Sequence, residues 1–209
     1  SGDTIKLRNA TINFGDKHNF VIHASTSTSA TYDFSGLVVI NATVTLNDVG
    51  APITGVTFSS CGEITKNSAD LSGGCTLNAT TAAQSITVTG ATEAALQAIL
   101  DDLANCTFTN NPVAIRIAFT GTGDISLDFS GMSFSGNTTD IHFNSTNVST
   151  LTANMQNGSD ASTSAISGAA VAVTIVSASA LTVTSNIAAS DIKIFETGTQ
   201  TIEAQATGT

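Results

Sequence analysis

Charge is what this sequence has least of. Asp, Glu, Lys and Arg together make up 11% of its 209 residues, against the usual quarter of a globular chain. Six of these are Lys or Arg and sixteen are Asp or Glu, giving a net charge of −10 and a pI near 4.3. Three of the basic residues, Lys6, Arg8 and Lys17, lie near the start. No cluster exists that could neutralise phosphates, so no nucleic acid is expected as a partner. Acidic membranes would repel the chain, and its longest apolar stretches, such as Gly168–Val176, are too short to cross a bilayer. No membrane insertion is expected. Tryptophan is missing and tyrosine occurs once, at Tyr32, which leaves no aromatic platform for stacking sugars. No signal peptide is visible, as fits either a cytosolic protein or a mature chain processed before Ser1.

What fills the space is β-forming. Hydrophobic residues reach 41%, Ser and Thr number 58, and there are only two prolines. Low charge with many aliphatics excludes disorder, and Thr, Val and Ile favour strands. Strict alternation runs through Val113–Phe119, Ile40–Leu46 and Ile125–Phe129, punctuated by turn signals at Asn47-Asp48, Gly121–Gly123 and Asn157-Gly158. One segment breaks the pattern. Over Thr92–Ala104, Leu96, Ile99, Leu100 and Leu103 recur at helical spacing behind Thr92, a good N-cap.

The tetrapeptide Asp-Phe-Ser-Gly occurs at Asp33–Gly36 and again at Asp128–Gly131, about 95 residues later. At the same offset Thr87-Val88-Thr89 covers Thr182-Val183-Thr184, and with one residue of slippage Asn9–Ile12 covers Asn105–Phe108. These matches predict an all-β fold made by tandem duplication of a unit of about 95 residues, a length that suits a β-sandwich. The expected units are residues 1–104 and 105–209, with the helix at the junction. The repeated motif reads as a strand end and turn, with Phe34 and Phe129 inward and glycine supplying the permissive backbone. Calcium ligation by Asp33 and Asp128 lacks neighbouring acids at the right spacing.

Cys61 and Cys75 flank a short polar loop. A disulfide between them would close about 15 residues and add roughly 3 kcal/mol. Cys106 is then unpaired, buried or free for a bond between subunits. Asn-X-Ser/Thr appears at Asn9, Asn41, Asn78, Asn105, Asn137, Asn144, Asn147 and Asn157, half of the sixteen asparagines. Chance at this Ser/Thr content gives roughly four or five, so these are candidate glycosylation sites and point to covalent glycans and an extracellular, cell-surface location.

Catalytic signals are missing. His18, His23 and His142 have no ligand spacing, no Gly-X-Ser-X-Gly elbow exists, and Asp101-Asp102 is the one acidic pair, read as a solvated helix end. No catalytic residue, metal site or cofactor is expected. Thr-X-Thr pairs (Thr26/Thr28, Thr43/Thr45, Thr87/Thr89, Thr120/Thr122, Thr182/Thr184) are read as exposed strand threonines, because the short strict repeat that would order water is not visible.

In overall style the chain resembles the β-rich extracellular filament, pilus and sheath subunits of archaea, which join by strand exchange or sheet extension and carry many Asn-linked glycans. That resemblance implies a secreted structural protein whose partners are copies of itself. Lys and Pro, which normally guard sheet edges, are scarce here. Candidate donor segments are the N-terminal one with Ile5 and Leu7 and the C-terminal one with Ile192, Ile194 and Ile202. The alternative is a monomeric adhesin or carbohydrate-binding module of a larger surface structure.

Overall fold

The computed structural model describes residues 4–22, 31–47, 52–155, 161–177, 191–195 and 202–207. Its elements in chain order are β1 (Thr4–Lys6), β2 (Thr11–Ile22), β3 (Thr31–Asp33), β4 (Val38–Leu46), β5 (Thr57–Ser59), β6 (Thr65–Lys66), β7 (Thr76–Asn78), β8 (Ile86–Gly90), α1 (Glu93–Asp101), β9 (Thr107–Thr109), β10 (Val113–Phe119), β11 (Ile125–Asp128), β12 (Ser133–Ser135), β13 (Thr139–Met155), β14 (Ser164–Ser177), β15 (Asp191–Phe195) and β16 (Ile202–Thr207). Strands dominate, as the composition requires, but the fold is a parallel β-solenoid and not a tandem of sandwiches. Two compact units exist, Ser1–Ala178 and Ser179–Thr209, so the expected boundary at residue 104 falls inside the first.

The first unit coils. Each turn lays a short strand on one stack, ordered β2-β4-β5-β7-β9-β12, and then a strand on a second stack, ordered β8-β10-β13-β14. All pairings described in this unit are parallel. In the first stack Ile12, Val39, Phe58, Leu77, Phe108 and Phe134 lie in register.

Corner chemistry explains why coils form in place of hairpins. Three residues before each of those apolar positions the backbone is left-handed: Asn9, Gly36, Gly55, Gly74, Asn105 and Gly131 have φ of 50–89°. Gly and Asn are the residues that tolerate this region. Two residues after, Asn41, Ser60, Ala79, Asn110 and Gly136 also have φ of 50–68°. A three-residue strand is thus held between two left-handed corners, too short and too sharply turned for the hairpins of a sandwich. At Gly36 the constraint is steric as well. A Cβ there would sit 2.3 Å from Asn9 Oδ1.

Both Asp-Phe-Ser-Gly motifs occupy this first corner. Asp33 Oδ1 accepts from Ser35 Oγ at 2.8 Å, and Asp128 Oδ1 accepts from Ser130 N at 2.8 Å and from its hydroxyl. Phe34 and Phe129 are buried. The turn reading is therefore correct, but the motifs mark one corner of two different coils. The Ser35 hydroxyl, then its N–H and Arg8, lower the Asp33 carboxyl below its ordinary range, and Arg8 Nε lies 2.6 Å from it.

The interior is filled by columns. Leu37, Val56, Cys75, Cys106 and Met132 form one, two residues ahead of the apolar register, and all are buried. Ile86, Ile115 and Ile141 form another in the second stack, and Val88, Ile117 and Phe143 a third.

Helix α1 replaces one side of a coil. Thr92 caps it, its Oγ1 accepting from Ala95 N at 3.2 Å, and Leu96, Leu100 and Leu103 are buried as the spacing predicts. It does not join two sandwiches. It covers β11: Glu93 Oε2 accepts from Ser126 N at 2.8 Å, and Gln97 accepts from Asp128 N at 2.8 Å and donates to Asp128 O at 3.1 Å. Two side chains one helical turn apart thereby satisfy backbone groups that a neighbouring strand would otherwise bond.

Asp102, at the helix C-cap, is not simply solvated. Its Oδ2 lies 2.6 Å from Nζ of Lys66, whose side chain is 2% exposed. Lys66 pairs in register with the inward Leu46, so this lysine points into the coil. Its ammonium also meets the carbonyl end of a helix that has no basic residue in its last turn.

The second unit is described by itself. There β15 and β16 pair antiparallel, from Asp191 opposite Thr207 to Ile194 opposite Ala204.

Candidate functional site

Three kinds of surface could carry function: the ends of the coil, the outer face of the second stack, and the outer face of the first. At the ends of the coil, β12, β2 and β14 each have one described edge partner; for β12, three residues long, it is β9. β2 bonds to β4, and β14 bonds to β13 over twelve register pairs. The proposed N-terminal donor is packed onto its own chain, since β1 pairs with β3 and β2 with β4. The C-terminal donor forms its own hairpin. β14 lies outside both proposed segments. It contains no charged residue and no proline, and Ile166, Val171 and Val176 are 47%, 55% and 46% exposed. Ile166, which follows Phe143 in register, is an inward-facing position with nothing described beyond it.

The second stack presents the polar residues with most chemical character. Thr87, Arg116 and His142 lie in register on β8, β10 and β13. Glu63 accepts from the Thr87 hydroxyl at 2.5 Å and from Gln84 Nε2 at 2.8 Å. His142 Nε2 and Ser167 Oγ are 2.9 Å apart, and that hydroxyl donates to Asn144 Oδ1 at 3.0 Å. Arg116 Nε is buried and has no hydrogen-bond partner among the described residues. Burial, and then the Arg116 charge, lower the His142 imidazole below its ordinary value.

That shift has a consequence for stability. The unfolded chain takes up a proton on His142 near its ordinary value of about 6.5, the folded chain only at lower pH. The neutral form is therefore favoured by folding, and its contribution is full above about pH 6.5 and is lost as pH falls below it. Denaturant midpoints measured at pH 7 and pH 5 should drop more for the native protein than for His142→Gln. Equal drops would assign the acid sensitivity elsewhere.

Among the described residues no group of three or more His, Cys, Asp or Glu is placed to hold a metal ion, and no helix is long and apolar enough to cross a membrane. His18 lies exposed on β2, apart from His142, and His23 falls outside the described residues. An open groove of about 310 Å³ is lined by Asn41, Ala42, Thr43, Ser60, Gly62 and Thr81, none of them ionisable. A small void of about 10 Å³ beside Cys61, Ile64 and Leu77 faces Ser85, whose buried Oγ has no hydrogen-bond partner among the described residues. It has room for about one water.

The cysteine expectations need correction. Cys61, Cys75 and Cys106 are all free and buried. Cys61 comes three positions after Phe58 and Cys75 two positions before Leu77, while Phe58 and Leu77 are in register, so the two thiols sit at opposite ends of the strand. Cys75 neighbours Cys106 instead, with Thr107 N donating to Cys75 O at 2.8 Å. Burial pushes the Cys75 thiol up to about 11 and, with Cys75 beside it, the Cys106 thiol up to about 12. Cys106 is 0% exposed and its Sγ donates to Leu71 O at 3.4 Å. A cross-link between subunits through it would require the coil to open.

The sequons acquire a structural reason. Asn9 and Asn105 are left-handed corner residues, each followed by an inward residue and an outward threonine, and that order spells Asn-X-Thr. Asn41 does the same at the opposite corner. Asn9, Asn105 and Asn147 are exposed, with Asn105 Nδ2 donating to Ser72 O at 3.0 Å and Asn147 Nδ2 to Gly121 O at 2.8 Å. Asn137 is committed internally, its Nδ2 donating to Phe108 O and Asp140 Oδ1, both at 3.0 Å, while its Oδ1 accepts from Asn111 N at 2.9 Å. Asn78 Nδ2 donates to Ser59 Oγ at 3.2 Å, and Asn144 Oδ1 accepts from Ser167. Asn157 falls outside the described residues.

No protein-family model, no curated protein and no solved structure matches this chain, so a functional reading rests on its own geometry.

Proposed function

We propose that the chain is a structural subunit that stacks end to end through its terminal strands, building an extracellular filament, sheath or surface layer. The observation that carries this is β14, an uncharged strand of fourteen residues with one described edge partner and none of the usual guards against pairing. The opposite end offers β2, twelve residues long. The later half of β2, residues 18–22, connects to the stack of β14 through β4, β6 and the Ile64–Ile86 bridge, and every pairing on that route is parallel, so β14 of one copy set against that half of β2 in the next extends the stack in the same sense. Such a contact joins two different patches and repeats without closing, the geometry of an open fibre. Exposed sequons at Asn9, Asn105 and Asn147 are compatible with glycans on the flanks, and mass spectrometry of the native material reads their occupancy.

Electron microscopy and sedimentation across a concentration series test the stacking. Native protein should form filaments or sheets. A Val171→Lys/Val176→Lys variant, which places guarding charges on the last strand, should stay monomeric with an unchanged circular dichroism spectrum. A native chain that remains monomeric at high concentration sinks the proposal.

A further inference from the structure

The outer face of the first stack carries an array that a linear reading hides. On either side of the inward column stand Thr57 and Ser59, Thr76 and Asn78, Thr107 and Thr109, and Ser133 and Ser135 on four successive coils. The two earlier coils continue it with Val38 and Ile40, then Thr11 and Asn13. None of these twelve outward residues is charged, on a protein of net charge −10, and none is aromatic.

The two columns differ in a useful way. In the second, Thr109 Oγ1 donates to Asn78 Oδ1 at 2.9 Å and Asn78 Nδ2 to Ser59 Oγ at 3.2 Å, so neighbouring coils lock one another's side chains. In the first, Thr57, Thr76, Thr107 and Ser133 make no side-chain hydrogen bond among the described residues, leaving a row of hydroxyls for an outside partner. Threonine is stiff at χ1, so this row is ordered before anything binds.

From this geometry we infer that the face binds ice. Coils repeat every 4.7–4.9 Å or so along the axis, and outward neighbours on one strand stand roughly 6.6–6.8 Å apart. That makes a two-dimensional grid of hydroxyls and methyls, interrupted on one coil by Val38 and Ile40, and its axial repeat is close to the spacing of equivalent oxygens along one axis of hexagonal ice. Ice is neutral and periodic, and it anchors to fixed hydroxyls while methyl groups rest between its waters. A flat neutral glycan is the competing occupant. It would be expected to stack on aromatic rings, and this face has none. The face runs along the coil, so its function is independent of contacts made by the ends.

The full-length protein should shape ice crystals, open a gap between freezing and melting, and slow recrystallisation. Thr76→Lys/Thr107→Lys should lose most of that activity while keeping the native circular dichroism spectrum. Thr89→Lys, an exposed outward position of the second stack, should keep it. Single Thr57→Lys and Ser133→Lys variants, each expected to lose a large part, carry the test if the double variant fails to fold. Native protein that leaves ice indistinguishable from a non-binding protein at equal concentration overturns the inference. So does loss of activity in Thr89→Lys equal to that in the double variant.

Discussion

Replacing Phe108 by alanine should cost about 3–5 kcal/mol of folding free energy, the largest effect expected of any single substitution in the columns. Phe108 is fully buried, in register between Leu77 and Phe134, and its ring stacks on Phe134 at 5.4 Å with 13° between the planes. Removing it opens a void enclosed by coils above and below, which cannot close without shortening the ladder. Phe134→Ala, at the 7% exposed end of the same column, should cost distinctly less, because solvent can fill part of the space. Urea unfolding of both variants measures the difference. A loss below about 1 kcal/mol for Phe108→Ala would mean that the column collapses freely.

The second large effect is asymmetric. Asp102→Ala should destabilise by about 3 kcal/mol, because it leaves the Lys66 ammonium inside the coil without its carboxylate. This is the low end of the range, since Asp102 is 36% exposed and water reaches the pair. Lys66→Met should lie within about 1 kcal/mol of the native protein or above it, because an unbranched apolar chain fits an inward position beside Leu46. Equal losses in the two variants would show that the attraction itself, and not the cost of burying a lone charge, governs this contact. Denaturant titration of the two single variants and the double one decides it.

Much of the fold could be read from local pattern. Alternation in β10 and β11, the helix with its Thr92 cap, and the turn role of Asp-Phe-Ser-Gly all follow from short-range rules. The coil did not, and the reason is physical. Repeats of a solenoid are recognised by a fixed period, whereas here successive corners are 27, 19, 19, 31 and 26 residues apart, from Asn9 through Gly36, Gly55, Gly74 and Asn105 to Gly131. Only the corner and its strand are constant, because there each coil pairs with the next through the same three positions. The sides between them take up insertions, of which α1 is the longest. The signal was present as Gly or Asn, any residue, Thr or Ser, an apolar residue, then a small polar one. It reads Asn9–Asn13, Gly55–Ser59, Gly74–Asn78, Asn105–Thr109 and Gly131–Ser135. The match of Asn9–Ile12 to Asn105–Phe108 was a fragment of it, and the offset of about 95 residues spans four coils. Candidate surfaces were harder to see. Thr57, Thr76 and Thr107 become one row only through register, while the Thr-X-Thr pairs that sequence singles out are mostly elsewhere.

The left-handed corners also bear on how the chain can be made. Each coil rests on the one before it through a ladder such as Thr57 N to Leu37 O, Thr76 N to Val56 O, Thr107 N to Cys75 O and Ser133 N to Cys106 O. Nearest-neighbour coupling of this kind lets structure propagate from one end. A polypeptide leaving a ribosome or threading a secretion pore N-terminus first can therefore wind itself up turn by turn, each finished coil serving as template for the next and pulling the following segment outward. Growth of the coil and passage of the chain become a single directional process, and the last strand of the coil to arrive is β14.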